Sequence, residues 1–353
     1  MTPRTPDDDL RVALIGFGLA GATFHAPFIA TTPGLHVAAV VTRDAERQER
    51  ARHDHPGAAV VDTVERLWEM AAALDVVVVA SPNATHAPLA TDALRAGLHV
   101  VVDKPFARSA AEGRALADEA RRRGRLVVPF HNRRWDGDLL TVRRLLADDA
   151  LGHVSRFESR FERWRAAPKP RWTAADARAN AEGVLFDLGT HLVDQALLLF
   201  GPVTHVYAEL DRRDPAHTVE DDAFVALTHA SGVRSHLHAS TAAAVSGPRL
   251  TVLGSLAGYV KHGVDVQEAM LRAGARPDRS GWGEEPSERW GVLTVGGVEG
   301  RAVRTEPGDY GRFYAALVDA IRDGTPPPVT PEEAVAGLEV IEEAKRVAVS
   351  ATR

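Results

Sequence analysis

Residues 10–24 read Leu-Arg-Val-Ala-Leu-Ile-Gly-Phe-Gly-Leu-Ala-Gly-Ala-Thr-Phe. A short apolar run, Val12 to Ile15, meets Gly16, Gly18 and Gly21 in the spacing G-x-G-x-x-G. Ala20 to Ala30 follows with no helix breaker before Pro27. Strand, tight turn and helix start, in that order, form a dinucleotide fingerprint. Gly16 permits the sharp turn, Gly18 lets the main chain approach a pyrophosphate, and Gly21 lets the helix pack on the strand. The free N–H groups and dipole of that helix N-terminus favour the phosphate charge. With Phe17, Leu19 and Ala20 between them, the glycines are the expected cofactor cradle.

Working outward, four more apolar runs follow at helix-sized spacing: 36–41, 75–80, 99–102 and 126–130. Continuous Val, Ala and Leu, rather than alternation, indicates strands covered on both faces. Helical segments lie between them, one opening at Ser109 with Glu112 three residues on, a capping box. Strands alternating with helices predict a parallel, doubly wound sheet. Ligands in such sheets bind beyond the carboxyl ends of the strands, so the residues just after each run carry the chemistry.

After the second run come Thr42, Arg43 and Asp44. A site that prefers NAD places a carboxylate here, whereas an arginine pairs the extra phosphate of NADP. Thr42 and Arg43 therefore predict NADP over NAD, with Asp44 read as the N-cap of the next helix. Ser81, Pro82, Asn83 and His86 follow the third run, either facing the nicotinamide half of the cofactor or serving as turn and cap residues. Lys104 follows the fourth, held extended before Pro105; it is an aimed side chain or a surface lysine. Asn132 and Arg133, after the fifth, are candidates to touch substrate or to bridge two domains.

The grammar changes near Gly152. Period-2 segments at 154–164, 203–210, 223–228, 233–240 and 249–253 indicate a large, mostly antiparallel open sheet. Its free face is expected to join subunits into a homodimer or homotetramer. One apolar helix, 184–200, carries Asp187, Thr190, His191 and Asp194 on a single face. That stripe is a solvated face or a site. Asp187 and His191, one turn apart, can hydrogen-bond or flank one ligand, and a carboxylate beside an imidazole suits proton abstraction near neutral pH. No third ligand accompanies them, so no metal is expected. Tyr310, at the start of a helix over 309–322, is a further substrate candidate, and a last helix near 330–349 is expected to return to the first domain.

The chain has 353 residues, enough for two domains: 1–130 for the nucleotide and 131–353 for substrate and assembly. Hydrophobic content is 45%, charged content 25% and net charge -6 with mixed signs, which argues against a nucleic-acid stripe or a polybasic membrane patch. The chain has no cysteine, excluding thiol catalysis, disulfides and cysteine-ligated metals. No apolar run reaches the roughly 18 residues that span a bilayer. The polar start, Met1 to Asp9, lacks a signal pattern, so a cytoplasmic location is expected.

Three motifs in order, Gly16 to Gly21, Asp103-Lys104-Pro105 and Glu182-Gly183-x-x-x-Asp187-x-Gly189-x-His191, resemble the Gfo/Idh/MocA oxidoreductases. The stretches GFGLAGATFHAPF (16–28), VVDKPF (101–106) and FHNRRWD (130–136) resemble the branch containing NADP-dependent scyllo-inositol dehydrogenase. The resemblance implies a Rossmann domain joined to an α/β domain with a large open sheet. It implies hydride transfer between a nicotinamide and a carbon of a sugar or cyclic polyol, with Lys104, Asp187 and His191 as the catalytic set. It also implies cofactor contact by Arg171 and Trp172. Asp103 replaces the usual glutamate, and Glu182 stands where a glycine is common. Other readings stay open: a nucleotide-binding sensor without turnover, or a reductase of amino-sugars or imines.

Overall fold

The computed structural model describes residues 9–349; residues 1–8, most of the polar start read above, lie outside them. Strands β1 (Leu10–Ile15), β2 (Leu35–Val41), β3 (Ala59–Val61), β4 (Val76–Val79), β5 (His99–Val102) and β6 (Val127–Pro129) form one sheet in the order β3-β2-β1-β4-β5-β6. Every pairing in it is parallel. All four valines of β4 are buried, as a strand covered on both faces requires. The strand order reverses between β1 and β4, and the register sets Ile15 opposite both Val41 and Val79, Val79 opposite Val102, and Val102 opposite Pro129. Gly16, Thr42, Ala80, Asp103 and Phe130 therefore emerge along one edge.

β3 was not anticipated from the sequence. It has three half-buried residues, too few to show a hydrophobic period. The capping box at Ser109 forms by half. Ser109 Oγ accepts from the Glu112 N–H at 3.1 Å, but the Glu112 carboxylate accepts from the Arg108 main-chain N–H at 2.8 Å.

The second sheet contains β7 (Val154–Glu162), β8 (Val203–Asp211), β9 (Asp222–His229), β10 (Arg234–Ser240), β11 (Leu250–Gly254), β12 (Ala257–Lys261), β13 (Gly291–Val295) and β14 (Arg301–Val303). Its order is β14-β13-β12-β11-β7-β10-β9-β8. Only the β7–β10 pairing is parallel. Alternation is plain in β9, where every second residue is buried. One face packs against the helical segment Leu185–Phe200, through Phe157, Leu237 and Phe200 among others. The other face leaves Tyr207 and Val292 exposed.

Two helices close the chain, and the second ties the sheets together. Gly311–Asp323 sends Phe313, Tyr314 and Leu317 into the core beneath β1, with Phe28 and Phe130. Pro331–Val347 opens with a complete capping box between Thr330 and Glu333. It lies between the sheets: Glu342 accepts the Ala110 N–H at 2.8 Å, and the Val349 N–H beyond it donates to Ala208 at 3.0 Å. Each buried Phe or Leu contributes about 1.5–3 kcal/mol, so this seam is an apolar core rather than a flexible linker.

Candidate active site

Two helical segments face each other across a cleft of about 660 Å³ at the carboxyl edge of the parallel sheet. Both begin with a widened turn. Ala20–His25 is wound as a π-helix before the α-helix Ala26–Thr31, and Leu185–Gly189 is wound the same way before Thr190–Phe200. Such turns recur at functional sites because they re-aim side chains that a regular ladder would constrain. Here Leu19, Ala20 and Phe24 line one wall, and Phe186, Asp187 and His191 the other.

The glycine turn has the form a pyrophosphate needs. Gly16 has φ +98° and a Cβ there would run into the Ala80 carbonyl oxygen, so only glycine fits. At Gly18 the nearest atom to an added Cβ is a guanidinium nitrogen of Arg47 at 3.5 Å, leaving a shallow cradle that a side chain would fill. The residues present thus fit a dinucleotide. Phe17 turns inward, edge-on to His55 at 6.0 Å, and contributes only its backbone to the turn.

Lys104 leaves the end of β5 and crosses the cleft. Its ammonium donates to the main-chain oxygen of Asp187 at 2.9 Å and to the Asp187 carboxylate at 3.0 Å. The other carboxylate oxygen accepts from Lys169 at 2.8 Å and Arg163 at 3.4 Å. Burial alone would raise the Asp187 carboxyl, but Lys104 and Lys169 hold it far below the usual carboxylate range. Burial, opposed by Asp187, lowers Lys169.

His191 lies one turn beyond Asp187 on the same wall. The two flank the cleft: the Asp187 carboxylate is committed to the cations, and His191 Nδ1 has no hydrogen-bond partner among the described residues. Burial, reinforced by Arg133 and Lys104, pushes His191 well below the ordinary imidazole value, so it is neutral at neutral pH. Arg133 donates to Glu268 at 2.8 Å and covers the Phe161 ring at 4.8 Å. Asn132 lines the same wall.

The rest of the polar stripe is structural. Thr190 Oγ1 donates back to Phe186 at 3.0 Å, and Asp194 holds Arg134 at 2.6 Å in a buried pair. Three expected contacts fall elsewhere. Trp172 is fully buried, beneath the Lys169 ammonium at 4.5 Å and against His217, because its indole joins the core that packs on the eight-stranded sheet; it does not line the cleft. Tyr310 is also buried, its hydroxyl donating to Asp136 at 2.6 Å. His86 packs beneath the wall, each ring nitrogen 2.8 Å from a carbonyl oxygen, of Ser81 and of Pro105. Ser81, Pro82 and Asn83 do line the cleft, and Asn83 donates to Ala181 at 3.0 Å across it. Arg171 lines it too, 3.5 Å from Glu182.

Thr42 and Arg43 stand at the end of β2 but off the cleft wall, which Arg47 reaches instead. Asp44 caps the helix Ala45–Asp54 by accepting the Arg47 N–H at 3.0 Å. That cap was the available signal, since it sets the third helical residue beside the strand end. Lys169 had no signal, coming from an irregular segment whose path only the tertiary fold fixes; Arg163 fell within the period-2 segment 154–164, which did not mark it as a site residue. Among the described residues no group of three or more His, Cys, Asp or Glu side chains is arranged to hold a metal, and no helix is long and apolar enough to cross a membrane.

Residues 10–131 match the oxidoreductase family with an NAD-binding Rossmann fold, and residues 139–260 match the GFO/IDH/MocA C-terminal domain. The chain belongs to the Gfo/Idh/MocA oxidoreductases. It is 39% identical to the uncharacterized oxidoreductase YdgJ of Escherichia coli, over 95% of each chain. It is 32% identical to the NADP(+) scyllo-inositol 2-dehydrogenase IolW of Bacillus subtilis, over 96% of this chain and 93% of that one. An oxidoreductase structure from Bacillus cereus superposes with a TM-score of 0.84 at 29% identity, covering 95% of each chain. The protein is thus an NAD(P)-dependent oxidoreductase with a Rossmann domain.

Proposed function

We propose that this enzyme is an NADP(H)-dependent dehydrogenase that acts on a secondary alcohol of a cyclic polyol or sugar. One observation carries the proposal: Lys104 from the nucleotide half and His191 from the other half line a single cleft beside the glycine turn. Relatives named for such chemistry support the substrate class, including IolW, a D-apiose dehydrogenase and a D-glucoside 3-dehydrogenase.

The nicotinamide, when bound, supplies the hydride acceptor or donor. The chain supplies position and field. Gly16 to Gly21 would hold the pyrophosphate, with Arg47 and, farther out, Arg43 and Thr42 toward the adenosine phosphate. Ser81, Pro82, Asn83 and Arg171 would border the rest of the cofactor. His191, neutral, takes the hydroxyl proton during oxidation. Lys104 donates a hydrogen bond to the same oxygen and offsets its developing negative charge, a contribution typically of about 3 kcal/mol. Asp187 aims Lys104, holding its ammonium from the far side. Asn132 and Arg133, which line the same cleft, would meet other substrate oxygens. The open sheet face is the surface we assign to a homodimer or homotetramer.

The test is reduction of NADP+ and NAD+, followed by nicotinamide absorbance, against a panel of inositols and aldoses. Turnover of a cyclic polyol or sugar with NADP+ supports the reading. Turnover confined to imines or amino-sugars replaces it.

A further inference from the structure

The cleft carries more positive charge than an uncharged polyol needs. Eight Lys and Arg side chains line it against four carboxylates, although the chain as a whole has net charge -6. Much of the excess gathers away from the glycine turn. Arg163, Arg165 and Lys169 come from one seven-residue segment after β7, and Lys104 joins them from β5, while Arg171, just beyond, is assigned to the cofactor. Two carboxylates face this group. Asp187 is shared by Lys104, Lys169 and Arg163, and Glu182 is 3.5 Å from Arg171. Burial raises the Glu182 carboxyl, opposed by Arg171 and Lys169.

Arg165 has no carboxylate within ion-pair distance among the described residues, yet it lines the cleft. Its aim is set by the backbone. The Arg163 and Arg165 N–H groups donate to Ser240 and Thr241 at 3.0 and 2.9 Å, and Trp164 between them forms an isolated antiparallel bridge with Ala242 just past the end of β7. Residues on either side of a bridged residue share a face, so Arg163 and Arg165 line the cleft together and Trp164 does not; all three are exposed. The glycine turn and Arg47 lie on the opposite wall, where the cofactor phosphates are expected. The Arg163 pair is one ion pair removed from Lys104, at the reacting end.

We infer that the physiological substrate is an anionic sugar or polyol, bearing a carboxylate or phosphate that Arg165, with Arg163 beside it, binds at the cleft mouth. This rests on the dehydrogenase reading for its chemistry, but the anion site stands on the charge arrangement alone. A guanidinium suits either group, because its planar fork matches both carboxylate and phosphate.

The experiment compares matched compounds: glucose with glucuronate and glucose 6-phosphate, and myo-inositol with an inositol monophosphate. Steady-state rates are measured with NADP+, and binding to the NADP+-loaded enzyme is measured by calorimetry. The anionic member of a set should have at least about tenfold higher kcat/KM, chiefly through KM, as expected for one charge-assisted contact. The variant R165Q should reduce the anionic-to-neutral ratio by about the same factor, with the affinity for NADP+ retained. Glucuronate favoured over the phosphate identifies a carboxylate; the reverse identifies a phosphate ester. Equal binding of anionic and neutral members, or an R165Q defect confined to NADP+, overturns the inference. Tighter binding of the anion with no turnover of any compound upholds the anion site and rejects the dehydrogenase reading.

Discussion

The Lys104 ammonium sits 2.9 Å from the main-chain oxygen of Asp187 and 3.0 Å from its carboxylate, joining the end of β5 to the widened turn of the opposite wall. The contact fixes the lysine from behind and leaves its remaining donor capacity for the cleft. It also links the two halves of the molecule at the point where chemistry is proposed.

K104M should therefore lose at least about a hundredfold in turnover, the usual cost of removing an electrostatic donor. The glycine turn is untouched, so NADPH should still bind. Stopped-flow turnover and nicotinamide fluorescence check the two halves of this statement separately.

The pH dependence follows from His191. Its pKa lies below the ordinary 6.5, first through burial and then through Arg133 and Lys104. Oxidation requires the neutral ring, so the rate should hold as pH falls through 6.5 and decline only in more acid solution. H191N should remove that acid limb and reduce oxidation about a hundredfold across the neutral range, within the usual span for a lost general base. Retention of the limb in H191N reassigns the base.

Acid should also weaken the fold. The Asp187 carboxyl is held below its ordinary 3.8, so its contribution is complete above that value and is lost as pH falls below it. His191 adds a loss of the same sign below 6.5, because the fold penalises its protonation. Denaturant midpoints measured from neutral to acid pH should drop, and D187N should flatten the most acid portion.

Asp194, predicted on the same stripe, belongs to stability. Removing it leaves Arg134 buried with only its 3.0 Å contact to Glu333, and breaking a buried pair costs about 3–5 kcal/mol. D194A should lower unfolding free energy by roughly that amount, measured by denaturant titration. Y310F, which deletes the hydroxyl donated to buried Asp136, should cost about 1–3 kcal/mol and leave substrate KM unchanged.

Cofactor choice gives another readout. Arg47 reaches the cleft wall and Arg43 does not. R47A should reduce kcat/KM with NADP+ more than R43A does. The reverse order moves the phosphate outward, to the tip of β2.

The parallel sheet was legible because its longer strands are nearly continuous runs of Val, Ala, Leu and Ile and its first turn needs three glycines. Lys104, Asp187 and His191 were expected as a set from the motif resemblance, whereas spacing alone joined only Asp187 and His191. Helical spacing placed Asp187 beside His191, while the partners Asp187 takes, Lys104 and Lys169, are 83 and 18 positions away in sequence. The strands β3, β12, β13 and β14 were missed, being short or opened by glycine, as in Gly291–Val295. Trp172 and Tyr310 pack into the interior rather than the cleft, because a large aromatic body suits a buried position as well as a ligand; Tyr310 finds a partner for its hydroxyl in Asp136.

The central claim is that Lys104 and His191 act on one carbinol while hydride leaves its carbon. The direct measurement is the primary isotope effect with substrate deuterated at that carbon, in the native enzyme, K104M and H191N at saturating NADP+. The account predicts that both variants express a larger effect on kcat than the native enzyme, because the chemical step has become limiting. Slow variants with an unchanged isotope effect, their defect lying in binding or release, would contradict it.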